Sequence, residues 1–220
     1  MTRVYIIRHA EARGNVDRIF HGITDGKITE NGYAQLKCLS ARMSKINLDV
    51  IYHSDLSRTT ETALAVRNGR DIPMIADPRL REINGGEWEG KKWTVFPKKY
   101  PEETEYWLND FSKFIAPRGE SVRELYDRAV SAVKDIVSKN KGKTIAIVTH
   151  GTLIRTLTAF LKGLPLEKVD EVAWRDNTAV SIAAFDDTLQ PTLLLEGDNS
   201  HLGELSTLEK QNWWKNNSFE

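Results

Sequence analysis

Val4-Tyr5-Ile6-Ile7-Arg8-His9 and Thr144-Ile145-Ala146-Ile147-Val148-Thr149-His150-Gly151 are two apolar runs, each delivering a histidine at its end. Short runs of this kind, bounded by polar residues and rich in β-branched side chains, read as strands buried on both faces. Such strands belong to sheets covered by helices on both sides, which points to an α/β fold. At the end of the first run a guanidinium and an imidazole emerge together. Arginine holds an oxyanion bidentately while a neutral histidine nitrogen beside it attacks.

Outward from these runs, strand-like and helix-like segments alternate. The pattern predicts a three-layer α/β/α arrangement around a mainly parallel sheet, with a small helical insertion. A polar loop from Ala10 to Lys27 follows the first strand, and Leu36, Leu39, Met43 and Ile46 then recur at helical spacing behind Thr29 as N-cap. Asp49 to His53 reads as the second strand, and Ser54 as the cap of a helix running to about Asn68-Gly69, with Arg58 one turn inside it. Met74-Ile75 is a short extended piece. Residues 91–118 break the alternation with seven aromatics and three prolines, and read as a cap-like insertion over one edge of the sheet. Ser121-Val122-Arg123-Glu124 is a capping box heading an amphipathic helix. Leu153, Ile154, Leu157, Phe160 and Leu161 mark an apolar helix, and strands are expected near 179–185 and 192–196, the latter at an edge because Pro191 opens it.

The 220 residues suffice for one domain spanning 1–220. Lys+Arg and Asp+Glu both number 31, so no global field draws the chain to nucleic acid or membrane. Any bound anion must be held locally. One cysteine, Cys38, leaves no disulfide framework and no cysteine-based metal cluster; it falls in a helical pattern and reads as buried filler. With no signal-peptide stretch and no long apolar span, the expected setting is soluble and cytoplasmic.

Ligands of open α/β sheets collect outside the carboxyl ends of the strands. Arg8-His9, the Ser54 to Arg58 segment and His150-Gly151 all fall there, and a helix beginning at Gly151-Thr152 adds free N–H groups that favour an anion. Two guanidinium groups, two imidazoles and a helix end around one point suit a phosphoryl group.

Arg8-His9-Ala10-Glu11 with Asn15 downstream, Thr29-x-x-Gly32, Ser54-Asp55-Leu56-Ser57-Arg58-Thr59-x-x-Thr62, Leu80-Arg81-Glu82, Gly86-x-Trp88-Glu89-Gly90, Gly119-Glu120-Ser121 and Val148-Thr149-His150-Gly151 stand in one order. Together they resemble the histidine phosphatase superfamily, with its phosphoglycerate-mutase-like fold, over about residues 3–180. The resemblance implies that His9 takes up the phosphoryl group as phosphohistidine. It implies that Arg8, Arg58 and His150 surround the phosphoryl oxygens with Asn15 as a neutral donor, and that Glu82 is the proton donor and acceptor; Gly151, at the helix start, is read as letting the backbone come close to the same group. No metal or other cofactor is then called for, since fixed positive charge and in-line positioning dominate phosphoryl transfer.

Two readings stand side by side for Asn15, a ligand donor or a turn residue. The aromatic insertion likewise reads as packing or as the wall that selects the alcohol. His21 and His53 read as structural, and His201 resembles a C-terminal element of some family phosphatases. Ala10 and Ala12 depart from the family's usual Gly and Thr, which predicts a shifted loop and one missing hydroxyl. The run Ile83-Asn84-Gly85-Gly86 lacks the Arg-His-Tyr-Gly that follows the acid in phosphoglycerate mutases. The expected activity is therefore hydrolysis of a small phosphate ester, in the manner of α-ribazole and broad-specificity phosphatases. The alternatives are a mutase using Lys91, Lys92, Lys98 or Lys99 as extra cations, and a low-activity phospho-ligand binding protein. A homodimer is the assembly left open.

Overall fold

A computed structural model describes residues 1–208; Trp213 and Trp214, the two aromatics of a C-terminal stretch whose sequence is otherwise polar, lie outside the described residues. Six strands form one mixed sheet: β1 (Thr2–Arg8), β2 (Val50–His53), β3 (Met74–Ala76), β4 (Thr144–Thr149), β5 (Val180–Phe185) and β6 (Pro191–Asp198). Their spatial order is β3-β2-β4-β1-β5-β6. The first four pair in parallel, while β5 runs antiparallel to both β1 and β6, and β6 is the edge that Pro191 foretold.

Alternation along the strands builds the layers. Val4 and Ile6 of β1 and Ile145 and Ile147 of β4 face one helical layer, α6 (Val122–Lys139) and α7 (Gly151–Leu161). Tyr5, Ile7, Ala146 and Val148 face the other, α2 (Glu30–Met43) and α3 (Ser57–Arg67). Both faces of the central strands are apolar because both are covered, as parallel sheets require. Thr29 caps α2 by accepting from Gly32 N–H, and the Ser121/Glu124 capping box closes the start of α6.

Local sequence misplaces one helix start. α3 begins at Ser57 with Leu56 at its N-cap, so Arg58 lies in the first turn and not one turn inside. The cap comes from far away. Asp25 accepts from Ser57 N–H at 3.0 Å and from its hydroxyl at 2.7 Å, while Ser54 only receives Leu56 N–H at 3.4 Å. A carboxylate 32 residues upstream has replaced the local serine at the positive helix end.

The insertion consists of a 3-10 turn at Trp93–Val95, two short helices (Phe96–Lys99 and Pro101–Asn109) and a second turn at Phe111–Lys113. Phe96, Phe111 and Phe114 are fully buried in the core shared with α6 and α7, with Trp88 stacked on Phe96 at 4.0 Å. Aromatic area of this size is drawn to the larger apolar layer, and that brings the insertion beside the carboxyl ends of the strands. Cys38 is only half-buried, on the flank of α2 and not in its core face. Among the described residues no helix is long and apolar enough to cross a membrane.

Candidate active site

β1 and β4 are adjacent and in register, Arg8 opposite Thr149, so the residues that follow them emerge side by side. The rings of His9 and His150 are 5.2 Å apart. A cavity of about 200 Å³ opens here, bordered by Arg8, His9, Asn15, Arg58, Glu82 and Gly151. His150 is fully buried behind it, with neither ring nitrogen bonded to the protein. Buried polar atoms without partners carry a desolvation penalty of about 1–3 kcal/mol each, so an imidazole with two such atoms marks a place for a ligand.

His9 is held as a neutral base. Its Nδ1 lies 2.7 Å from the Ala10 carbonyl, an acceptor, so that nitrogen carries the proton and Nε2 keeps its lone pair. Burial first, then the charges of Arg58 and Arg8, push its pKa well below the usual histidine range. The same causes, burial and then Arg58, depress His150.

The cations are fixed by backbone. Arg58 donates to Gly22 O at 2.7 Å and to Thr24 O at 2.9 Å, and Arg8 donates to Arg175 O. A methyl on Gly151 would sit 3.2 Å from Arg8 Nε, so glycine there admits the guanidinium. The 21–24 loop that Arg58 grips is itself held by Glu89, which accepts from Ile23 and Thr24 N–H at 3.0 Å each.

The amino terminus of α7 has a different occupant from the phosphoryl group its sequence suggests. Thr152 N–H donates to Glu82 Oε2 at 2.9 Å, Leu153 N–H to Oε1 at 3.2 Å and Ile83 N–H to Oε1 at 2.9 Å. A carboxylate already in the chain satisfies the helix end, and this fixes Glu82 against the cavity. The motif Gly86-x-Trp88-Glu89-Gly90 serves the same segment. Gly86 has φ of +52° and its missing side chain leaves room for Pro117 O, where a Cβ would come within 2.2 Å. Arg128 forks onto Glu120 and donates to the carbonyls of Arg79 and Arg81, tying the strand of residues before Glu82 to α6.

Asn15 meets both of its readings. Its Oδ1 accepts from Ala12 N–H at 3.0 Å, closing a short helix at Arg13–Asp17, and the residue also borders the cavity. Neither Ala10 nor Ala12 has a positive φ, and both are buried in a cluster with Ile28 and Leu36. His21 is a correction. It lines the cavity, its Nδ1 buried and unbonded, because Gly14 and Gly26 leave space for its ring. His53 stays off the cavity, bonded at Nδ1 to the Ser54 carbonyl at 2.7 Å. His201 does not reach it either; Nε2 meets Thr178 Oγ1 at 3.2 Å and Nδ1 meets Arg42. None of Lys91, Lys92, Lys98 or Lys99 lines the cavity, and Lys91 and Lys99 engage Glu87 instead.

The loop before β5 went unnoticed in the sequence. Asn177 donates its side-chain N–H to His9 O at 2.9 Å, and Thr178 N–H to Arg8 O at 3.1 Å. Thr178 holds φ of +57°, a conformation worth about 1–3 kcal/mol of strain for a β-branched residue. Its signal, an Asp-Asn-Thr ahead of a strand, is too common to single out. Arg155 and Trp174, which nothing in the sequence singled out, also line the cavity, as does Trp107 of the aromatic insertion.

The sequence profile of the histidine phosphatase superfamily (branch 1) matches residues 4–198, and the chain belongs to that superfamily. Phosphoserine phosphatase 1 of Hydrogenobacter thermophilus is 30% identical over 204 residues, 93% of this chain and 96% of that protein. Phosphoglycerate mutase-like protein 4 of Arabidopsis thaliana is 32% identical over 211 residues, 94% of this chain and 89% of that protein. Among solved structures, Bacillus stearothermophilus YhfR superposes with a TM-score of 0.88 at 36% identity, covering 91% of this chain and 99% of its own. The α-ribazole phosphatase from Shigella flexneri superposes at 0.80 with 26% identity, over 89% and 96%.

Proposed function

We propose that the protein is a metal-independent phosphomonoesterase acting on a small phosphorylated metabolite through a phosphohistidine. The carrying observation is His9, its Nδ1 proton committed to Ala10 O and its Nε2 free beside two backbone-anchored guanidinium groups.

In the first step Nε2 forms a bond to phosphorus as the ester P–O bond breaks, and the departing oxygen takes a proton from Glu82. In the second, Glu82 accepts a proton from water, the water oxygen bonds to phosphorus, and the N–P electron pair returns to His9. Arg8, Arg58 and His150, with the Asn15 amide and the backbone at Gly151, face the phosphoryl oxygens in both steps. Because these donors are fixed before the substrate arrives, little reorganisation is needed as charge shifts. Hydrolysis is favoured over mutase chemistry by the lack of any lysine among the described residues that line the cavity.

Purified protein is expected to release p-nitrophenolate from p-nitrophenyl phosphate in excess EDTA, and His9→Ala to abolish the release. Undiminished turnover by His9→Ala would end this reading. Phosphorus NMR of 3-phosphoglycerate tests the mutase alternative, which yields 2-phosphoglycerate where a phosphatase yields free phosphate.

A further inference from the structure

Beyond the phosphoryl end, the cavity is walled by rings. Phe20, Trp93, Trp107 and Trp174 all line it, with centroid separations of 5.5 Å for Phe20–Trp93, 5.4 Å for Trp93–Trp107 and 6.0 Å for Trp107–Trp174. Ile19 and Leu108 fill the gaps. The cation in this wall, Arg155, is engaged through two of its three nitrogens. Its Nη2 meets Asp170 at 2.9 Å, its Nε meets Val172 O at 2.9 Å, and its Cζ lies 4.8 Å from both the Trp174 and Phe111 rings. A carboxylate and two ring faces thus meet part of its charge, and a guanidinium offers donors but no acceptor.

The wall also lacks particular partners. Among the described residues lining the cavity Glu82 is the one carboxylate, and both its oxygens accept from backbone N–H groups. An alcohol bearing an ammonium group finds no anion beyond the phosphoryl end. A polyol finds ring carbon where its hydroxyls need acceptors, and a buried hydroxyl without a partner is penalised. Flat apolar carbon finds ring faces and edges at stacking distance.

We infer that this wall is the leaving-group subsite and that it selects phosphomonoesters of aryl and arylalkyl alcohols over those of amino alcohols and polyols. The inference rests on the phosphomonoesterase reading above and names its substrate class. Size agrees with it. A cavity of roughly 150 Å³ accommodates a benzene ring, and the 200 Å³ present holds a phosphoryl group and one ring at its mouth.

The test compares kcat/KM for 2-phenylethyl phosphate, ethyl phosphate and O-phosphoserine. The first two release alkyl alcohols of similar basicity, so their ratio reports binding of the ring and not ease of P–O cleavage. A preference of roughly 10- to 100-fold for 2-phenylethyl phosphate is expected, the range a hydrophobic pocket supplies. Trp107→Leu and Trp174→Leu should each move that ratio toward one. A partly misfolded sample lowers both rates equally and leaves the ratio where it was, so the readout survives poor folding. A wild-type ratio near one, a preference for O-phosphoserine, or a ratio unmoved in both variants overturns the subsite while the phosphomonoesterase reading stands. No turnover of any ester by folded protein overturns both.

Discussion

Glu82 sits on the amino terminus of α7, its Oε2 2.9 Å from the backbone nitrogen of Thr152. The helix end that sequence alone offers to a substrate is thus spent on positioning the proposed proton carrier. Glu82→Gln should lower kcat on ethyl phosphate by roughly 100- to 10,000-fold. With p-nitrophenyl phosphate the leaving group departs without a proton, whereas hydrolysis of phosphohistidine still needs a base. Stopped-flow mixing is therefore expected to show a burst of about one equivalent of p-nitrophenolate, then a slow phase. A linear trace at wild-type rate would refute the assignment.

The two buried imidazoles make stability depend on pH. His9 and His150 both have pKa values depressed in the folded protein, chiefly by burial. The unfolded chain protonates them near pH ~6.5, so below that value it binds more protons than the native state. Stability therefore falls on acidification, by up to about 1.4 kcal/mol per pH unit for each imidazole. Urea unfolding at pH 7.5 and 5.5 should show this loss, and His150→Gln should lessen it. An equal loss in the variant contradicts the assignment.

Arg58 is both a charge and a fork. Its Nη1 and Nη2 donate to Thr24 O and Gly22 O, and the residue lines the cavity. Arg58→Ala should cost on the order of 100- to 1,000-fold in kcat/KM, as for an oxyanion donor. Arg58→Lys keeps the charge but loses the two-pronged anchorage, and should recover little of the rate. Steady-state assays at fixed salt decide it, and near wild-type activity in the lysine variant would count against the fork.

Ala10 stands where the family usually has Gly, and its methyl is fully buried against its neighbours without a positive φ. Ala10→Gly should leave kcat/KM close to wild type. It should destabilise the protein by about 0.5–1 kcal/mol, through lost burial and a freer unfolded chain. A large gain in rate would instead mark Ala10 as a limiting feature.

Much of the frame was legible because its signals are local. Buried strands need continuous apolar runs, and β1 and β4 show them; the α6 capping box is closed by residues three apart. The start of α3 was misread because its cap, Asp25, comes from a loop that folding brings near. His21 looked structural for a similar reason, since its exposure to the cavity depends on two glycines, one on each side of it in the chain.

What the sequence determined by itself was the set of candidate residues and their order along the chain. Arg8-His9, Arg58, Glu82 and His150 are singled out by type, and the strand ends they follow bring them together in any sheet where β1 lies beside β4. Tertiary structure alone decided which donors remained for a ligand. Thr152 and Leu153 N–H went to Glu82, Arg155 went to Asp170 and the rings, and both nitrogens of His150 were left unbonded. Those choices are competitions among groups distant in the chain for the same few partners, and only the packed cavity settles them.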